Sequence, residues 1–335
     1  MPMKRQPSEF SLVIAIDKPS GMSSHDVVNR VRRIFGERRV GHTGTLDPLA
    51  SGVLQVCVGP AARLDKYLVD HDKRYEVLVR LGVETDTDDA LGQVIRTAPV
   101  PCQAANPHLA QEFLRRFEGF QNQMPPLYSA IKVNGAKACD AARKGRVLQL
   151  QPRPVEVYSL QLLAVEETED GLFWRVACHV SKGTYIRSLA RDIGAALGCG
   201  GSVEQLRRLA VGRLTEAQCV SLKQLEECGA EAALDPLALL GLRFLFADEH
   251  QEKSLANGGK LSARSPLYQF NGDPFRETVC ACMPRIRASE EPLADGEVVA
   301  VVSGGLLRAL YRFSQEKGAL VPDCVFSQGV RRGRC

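Results

Sequence analysis

The alternation of apolar and polar positions divides the chain into short strands and amphipathic helices. Val13 to Ile16 is a brief apolar run followed by the turn Asp17-Lys18-Pro19-Ser20-Gly21. Ser23 and Ser24 then stand where a helix N-cap is needed, with Asp26 in capping-box position. Val27, Val28, Val31, Ile34 and Phe35 recur at helical spacing until Gly36, and Arg30 and Arg33 occupy the opposite face. A β-branched run, Val53 to Val58, predicts a buried strand. A helix is predicted over Ala61 to Leu68 and a strand over Arg74 to Leu81. Asn106-Pro107 opens a helix through Phe117. Pro125 to Lys132 is extended up to an Asn134-Gly135 turn, with a short helix from Ala136 to Lys144. Val155 to Val165 and Phe173 to Val180 predict two strands joined by the acidic turn Glu166 to Gly171, and Tyr185 to Leu197 predicts a helix stopped by Gly198. Small helices are predicted at Ser221 to Cys228 and Asp235 to Leu240. Beyond Arg243 no long helical period remains, and Gly296 to Val302 and Leu306 to Phe313 predict barrel strands.

This pattern divides the chain into residues 1–243 and a second unit, 244–335, of ordinary domain size. All stretches rich in candidate chemistry lie in the first unit. Removal of the residues after Leu245 is therefore expected to spare some chemistry.

The chain's candidate reaction centre lies in Gly41-His42-Thr43-Gly44-Thr45-Leu46-Asp47-Pro48-Leu49-Ala50-Ser51-Gly52-Val53-Leu54. One carboxylate, Asp47, is embedded among glycines and small hydroxyl residues, and Pro48 pushes it toward an extended conformation. The predicted strand after it anchors the loop. Leu-Asp-Pro alone is uninformative: it recurs as Leu234-Asp235-Pro236, where Asp235 reads as a helix N-cap with Pro236 in the first turn.

Composition changes this picture little. The 335 residues are 44% hydrophobic and 24% charged, as in an ordinary globular protein. With 43 Lys and Arg against 39 acidic residues, the net charge of +4 is no nucleic-acid footprint by itself. The arginines are clustered, however. Arg30, Arg32, Arg33, Arg38 and Arg39 precede the central loop, Arg187, Arg191, Arg207 and Arg208 form a second group, and Arg331, Arg332 and Arg334 end the chain. The first two groups are candidate RNA contacts. Eleven cysteines without a CxxC pair read as reduced thiols in a cytoplasmic protein, not as a zinc site. No stretch has the length of a signal peptide or membrane span. Glu84 to Gly92 mimics the start of a calcium loop but has Leu91 where the turn glycine belongs and Thr97 in place of the final Glu, so no metal site is expected.

The fourteen-residue loop closely resembles the signature of the TruB family of RNA pseudouridine synthases. Four further stretches are similar to that family: Asp17 to Ser24; Lys73-Arg74-Tyr75 with Leu81-Gly82 and Thr85 to Asp88; Tyr128 to Lys132 with Gly135 and Arg143; and Ser181 to Arg187 with Leu206-Arg207-Arg208. The last ninety residues resemble a PUA domain only through Asn257-Gly258-Gly259 and the barrel-like strands. The resemblance implies an α+β catalytic domain with a large mixed, mainly antiparallel sheet, plus a small C-terminal PUA-like β-barrel. It implies isomerisation of uridine to pseudouridine at position 55 in the T-loop of tRNA, with no cofactor and no metal. On this pattern Asp47 is the catalytic carboxylate. His42 contacts the flipped nucleotide or its neighbour, Tyr75 stacks on the uracil or moves a proton, Tyr185 lines the pocket, Arg187 pairs with Asp47, and Leu206 closes the apolar wall. The implied partner is the T-arm of tRNA, bound by a monomer without an obligatory protein partner and away from membranes.

Three alternatives remain open. A guide-RNA-dependent synthase subunit would usually carry basic tails. A tRNA-folding chaperone with incidental catalysis would use the same surface. A carboxylate-dependent hydrolase would need a second acid or a metal set. The sequence departs from the family pattern at Cys139 and Val180, where altered packing is expected, and in the long segment Pro266 to Pro292.

Overall fold

The computed structural model describes residues 8–69, 71–129, 131–133, 136–138, 141, 148–270 and 286–335. The turn expected at Asn134-Gly135, Cys139, Arg143 and much of the segment 266–292 lie outside them.

The chain begins with β1 (Leu12–Lys18), whose residues are nearly all buried. Helix α1 (Ser24–Phe35) follows. Its N-cap Ser23 accepts from Asp26 N, the Asp26 carboxylate accepts from Ser23 N, and Gly36 closes it with φ 60°. The local signals thus determine both ends. Strands β2 (Val40–His42) and β3 (Ser51–Val58) flank the Asp47 loop. The helix expected over Ala61 to Leu68 is a 3₁₀ segment, Gly59–Leu64, that passes into the single turn α2 (Asp65–Leu68). Strand β4 (Lys73–Leu81) leads to the small hairpin β5 (Val83–Thr85) and β6 (Val94–Thr97). Helix α3 (Pro107–Leu114), capped by Asn106, runs to β7 (Gly119–Gln123). A second small hairpin joins β8 (Lys132–Val133) to β9 (Ala136–Lys137), so the helix expected from Ala136 does not begin there.

The long hairpin β10 (Arg153–Thr168) and β11 (Gly171–Val180) extends past the predicted strands toward the turn on both sides. Helix α4 (Ile186–Ala196) has Tyr185 at its N-cap position. Strand β12 (Gly201–Val211) was not predicted, yet it lies at the centre of the sheet, with β13 (Leu214–Thr215) folded back on it. The sheet runs β1-β3-β12-β4-β11-β10-β7, with β2 beside β3. All its pairs are antiparallel except β3 with β12, making it mixed and mainly antiparallel. Helices α5 (Leu222–Cys228) and α6 (Pro236–Leu240) then lead out, the latter capped by Asp235 as expected.

A second sheet contains β14 (Phe244–Phe246), β15 (Leu261–Ser262), β16 (Leu267–Phe270), β17 (Ile286–Ser289), β18 (Val298–Ser303), β19 (Leu306–Ser314) and β20 (Ala319–Arg331). Its path, β15-β20-β19-β18-β14-β16-β17, has no pair between its ends among the described residues, so the expected barrel is there an open sheet. Helix α7 (Glu249–Ala256), with its own capping box, was not predicted. None of the helices among the described residues is long and apolar enough to cross a membrane.

The two sheets share a core. Val13, Ala15, Val53, Cys57, Leu64 and Leu68 pack in one buried cluster with Ala300, Val302, Leu307, Leu310, Cys324 and Phe326. The terminal arginines, read from sequence as a basic end, reinforce this junction. Arg332 pairs with the buried Asp235 at 2.6 Å, Arg331 with Glu231 at 2.8 Å, and Arg334 donates to Gln218 O.

Candidate active site

The Asp47 loop is held from two sides. On one side the turn after β1 reaches across: Ser20 Oγ donates to Leu49 O at 2.8 Å, and Gly21 N donates to Pro48 O at 2.8 Å. Ser24 Oγ both accepts from Leu46 N and donates to Leu46 O, each at 2.8 Å. Lys18, fully buried, donates to Met22 O at 2.6 Å and Pro19 O at 2.9 Å, with Pro48 O at 3.5 Å. Burial pulls its pKa down to about 8, the charge of Asp47 opposing and that of Arg208 adding. On the other side Arg208, 2% exposed, donates to Val53 O at 2.7 Å, Gly44 O at 3.0 Å and Thr45 O at 3.3 Å. At the base of the loop, Thr43 is tied to Gln55 through both backbone and side chain. The loop's carbonyls are therefore occupied by fixed donors, which leaves the Asp47 carboxylate as the group free to face outward.

That carboxylate is about one third exposed and meets Arg187, whose side chain is 5% exposed; Nε lies 2.8 Å from Oδ2. The contact is an ion pair without hydrogen-bond alignment, since the Nε proton has no acceptor in line. The other two nitrogens of the guanidinium are held by backbone: Nη1 donates to Thr87 O at 2.8 Å and Nη2 to Tyr128 O at 3.0 Å. Asp89, buried, stands 3.5 Å from Nη1, and its Oδ1 accepts from Thr87 Oγ1 and Leu91 N. Arg187 is thus fixed between two carboxylates at the first turn of α4. The acidic stretch that resembled a failed calcium loop supplies the second of them.

A cavity of about 560 Å³ opens over this pair. Asp47, Tyr75, Tyr185, Arg187 and Leu206 all line it, so five of the six residues expected from sequence converge. Tyr75 and Leu206 are each 8% exposed and reach the cavity from the adjacent strands β4 and β12. Tyr185 is gripped through its backbone by Gln123, whose amide accepts from Tyr185 N at 2.8 Å and donates to Tyr185 O at 3.1 Å. Burial pushes the Tyr185 phenol pKa up. His42 is not among the lining residues. It ends β2, and Gly44 N donates weakly to its Nδ1 at 3.4 Å. Burial, helped by the charge of Arg208, pulls its pKa down.

Sequence reading missed Lys18, Asp89 and Gln123, and it took Arg208 for an RNA contact. A sequence signal existed for Lys18, which closes β1 two residues after the apolar run ending at Ile16, whereas apolar and polar residues do not alternate regularly along β12 around Arg208. The second arginine cluster is taken up by contacts within the protein. Arg187 and Arg208 are buried, Arg191 pairs with Asp88 at 3.0 Å, and Arg207 pairs with Asp17 at 3.0 Å and Glu216 at 3.2 Å. The first cluster does meet a groove. Arg32, Arg38 and Arg39 line a cleft of about 430 Å³ together with Arg63 and, from β20, Phe326.

Comparison with known proteins places this arrangement among relatives. Residues 32–186 match the family model described as TruB family pseudouridylate synthase (N terminal domain), and residues 187–239 match that of the tRNA pseudouridylate synthase B C-terminal domain. The chain is 40% identical over 291 residues to the tRNA pseudouridine synthase B of Enterobacter sp. (strain 638), covering 86% of this chain and 90% of that one. The protein of that name from Salmonella typhimurium is 39% identical over 296 residues, with the same coverage. Among solved structures, an H/ACA RNP bound to a substrate RNA containing 2'-deoxyuridine and a Cbf5-Nop10-Gar1 complex each contain a chain of similar fold. Their TM-scores are both 0.64, at 23% and 24% identity, covering 95% of this chain and 86% and 85% of theirs.

Proposed function

We infer the function from this premise: the chain belongs to the TruB family of pseudouridylate synthases, and it isomerises uridine to pseudouridine in tRNA. The observation that carries the mechanism is the pairing of Asp47 with a buried Arg187 at the floor of a cavity in which Asp47 is the only acid among the described lining residues. In the isomerisation the N1–C1′ bond of uridine breaks and a C5–C1′ bond forms, while a proton leaves C5 and one is gained at N1. Atoms and charge balance within the nucleotide. A single carboxylate is enough, acting either as nucleophile at the sugar or base, or as a base on the ribose. A hydrolase of the two-carboxylate type would need a second acid lining the cavity.

The target base must leave its stack to reach Asp47, at a cost of roughly a few kcal/mol. Tyr75 offsets this by stacking on the uracil, worth about 1–3 kcal/mol. Tyr185 lines the pocket, Leu206 closes the apolar side, and His42 serves the neighbouring nucleotide rather than the base in the cavity. The groove of Arg32, Arg38, Arg39 and Arg63 takes the tRNA backbone, reading no sequence but setting its register. The substrate is the T-arm and the target is position 55. The protein acts in the cytoplasm as a monomer without an obligatory partner. Residues 1–243 carry the chemistry, and residues 244–335 extend the RNA-binding surface.

Incubation of purified protein with unmodified tRNA, with chemical mapping of pseudouridine afterwards, tests this reading. Conversion is expected at position 55. Asp47→Asn is expected to abolish it while tRNA affinity stays within a few-fold, because binding is spread over phosphate contacts and stacking. Conversion elsewhere, or turnover retained in Asp47→Asn, overturns the assignment.

A further inference from the structure

The cavity over Asp47 carries more positive charge than its one acid requires. Five cations line it: Lys73, Arg153, Lys182, Arg187 and Arg208. Arg187 is spent on Asp47, Asp89 and two backbone carbonyls, and Arg208 on three carbonyls. Lys73 donates to Val69 O and His71 O, and Lys182 also has a partner within the chain. Arg153 differs from the other four. It is exposed and has no hydrogen bond or ion pair among the described residues. A guanidinium without a protein partner, at the rim of a cavity that takes a polyanion, is a charge left for the ligand.

Its placement is fixed by the fold. Arg153 opens β10 directly opposite Gln123 of β7, and Gln123 is the residue that grips the Tyr185 backbone on both sides. The arginine is therefore stationed beside the tyrosine wall, close enough for its charge to oppose the effect of burial on the Tyr185 phenol. A uracil bound with its ribose toward Asp47 would leave its backbone toward solvent, on the side of the exposed Arg153.

We propose that Arg153 binds a phosphodiester flanking the target uridine and so anchors the extruded nucleotide over Asp47. This rests on the reading of the cavity as the uridine site. Base stacking on Tyr75 leaves the nucleotide free to slide along the ring. A bidentate grip on the adjacent phosphate removes that freedom and adds one charge-assisted contact made only by the flipped form.

The test is binding of a labelled T-arm hairpin to the wild type, Arg153→Ala and Arg153→Lys over a range of KCl. It is repeated with hairpins in which one phosphate at a time is replaced by a neutral methylphosphonate. Arg153→Ala is expected to bind about tenfold more weakly, with the log–log salt slope reduced by about 0.7, the value for one phosphate on a single strand. Arg153→Lys keeps the slope and recovers part of the affinity. A neutral linkage beside the target uridine should weaken the wild type about as much as the Ala substitution does, and should cost Arg153→Ala nothing further. An unchanged salt slope in Arg153→Ala, or linkage costs that add in full at every position, overturns the proposal. Conversion of the unmodified hairpin by the wild type is measured alongside. Its absence would overturn the uridine-site reading, whereas the coupling between Arg153 and one phosphate stands or falls by binding alone.

Discussion

Gly52 and Arg208 meet backbone to backbone where β3 runs parallel to β12: a Cβ on Gly52 would stand 2.2 Å from the carbonyl oxygen of Arg208. Gly52 also has φ +99°, a conformation that side chains resist. The strand leaving the Asp47 loop can pass Arg208 only because nothing projects from that position, and this close approach lets the Arg208 side chain reach back to Val53, Gly44 and Thr45. Gly52→Ala is expected to lower stability by at least about 2 kcal/mol through combined strain and overlap. It should also remove activity in whatever fraction stays folded. Urea unfolding and a single-turnover assay check both; a stable, active variant would show that the crossing adapts.

Arg187→Lys keeps the charge but not the fork. A lysine cannot face Asp47 and Asp89 while donating to both Thr87 O and Tyr128 O. The single-turnover rate at saturating tRNA is expected to fall about 10²-fold or more, in line with loss of a preorganised donor at a reaction centre. Affinity for tRNA should change by less than about threefold, since the phosphate contacts are untouched. An equal loss in rate and affinity would assign Arg187 to binding instead.

Lys18 makes stability depend on pH. Its pKa is about 8 in the folded protein against an ordinary 10.5, chiefly through burial. Below pH 8 both states carry the proton, and the cost of burying the charge is fully present. Between about 8 and 10.5 the unfolded chain holds more protons than the folded one, so stability from this residue rises with pH, by up to about 1.4 kcal/mol per unit. The stability of the wild type minus that of Lys18→Met, from urea unfolding at several pH values, should therefore increase from about pH 8 to about pH 10. A flat difference would mean that Lys18 keeps its ordinary pKa.

A cut after Leu245 is expected to unfold the upstream part, although every active-site motif precedes it. The cut strips Ala300, Val302, Leu307, Leu310, Cys324 and Phe326 from a core shared with β1 and β3. It also removes Arg332 from the buried Asp235, and an uncompensated buried carboxylate costs about 3 kcal/mol or more. Calorimetry should find no cooperative transition for residues 1–245. A folded fragment active on a hairpin would show that the shared core is dispensable.

The sequence by itself determined what depends on near neighbours. Helix α1 was legible to its capping box because Ser23, Asp26 and Gly36 act within one turn of its ends. Asp235 was legible as a cap, and the Asp47 loop as a stiff turn on a strand, for the same reason. The family signature brought Tyr75, Tyr185, Arg187 and Leu206 to the same site as Asp47 before any fold was seen. Tertiary structure decided the fate of the charges. Arginines that look solvated in sequence are drawn inward by carbonyls and carboxylates of distant segments, and Arg187 and Arg208 are buried by them; Arg208 and Val53 are 155 residues apart. Strand β12 escaped notice because its interior-facing arginine reads as a surface residue until those carbonyls are in place. The hydrophobic pattern records which side chains leave water, but which polar group compensates a buried charge is set by contacts between segments, and these exist only in the folded chain.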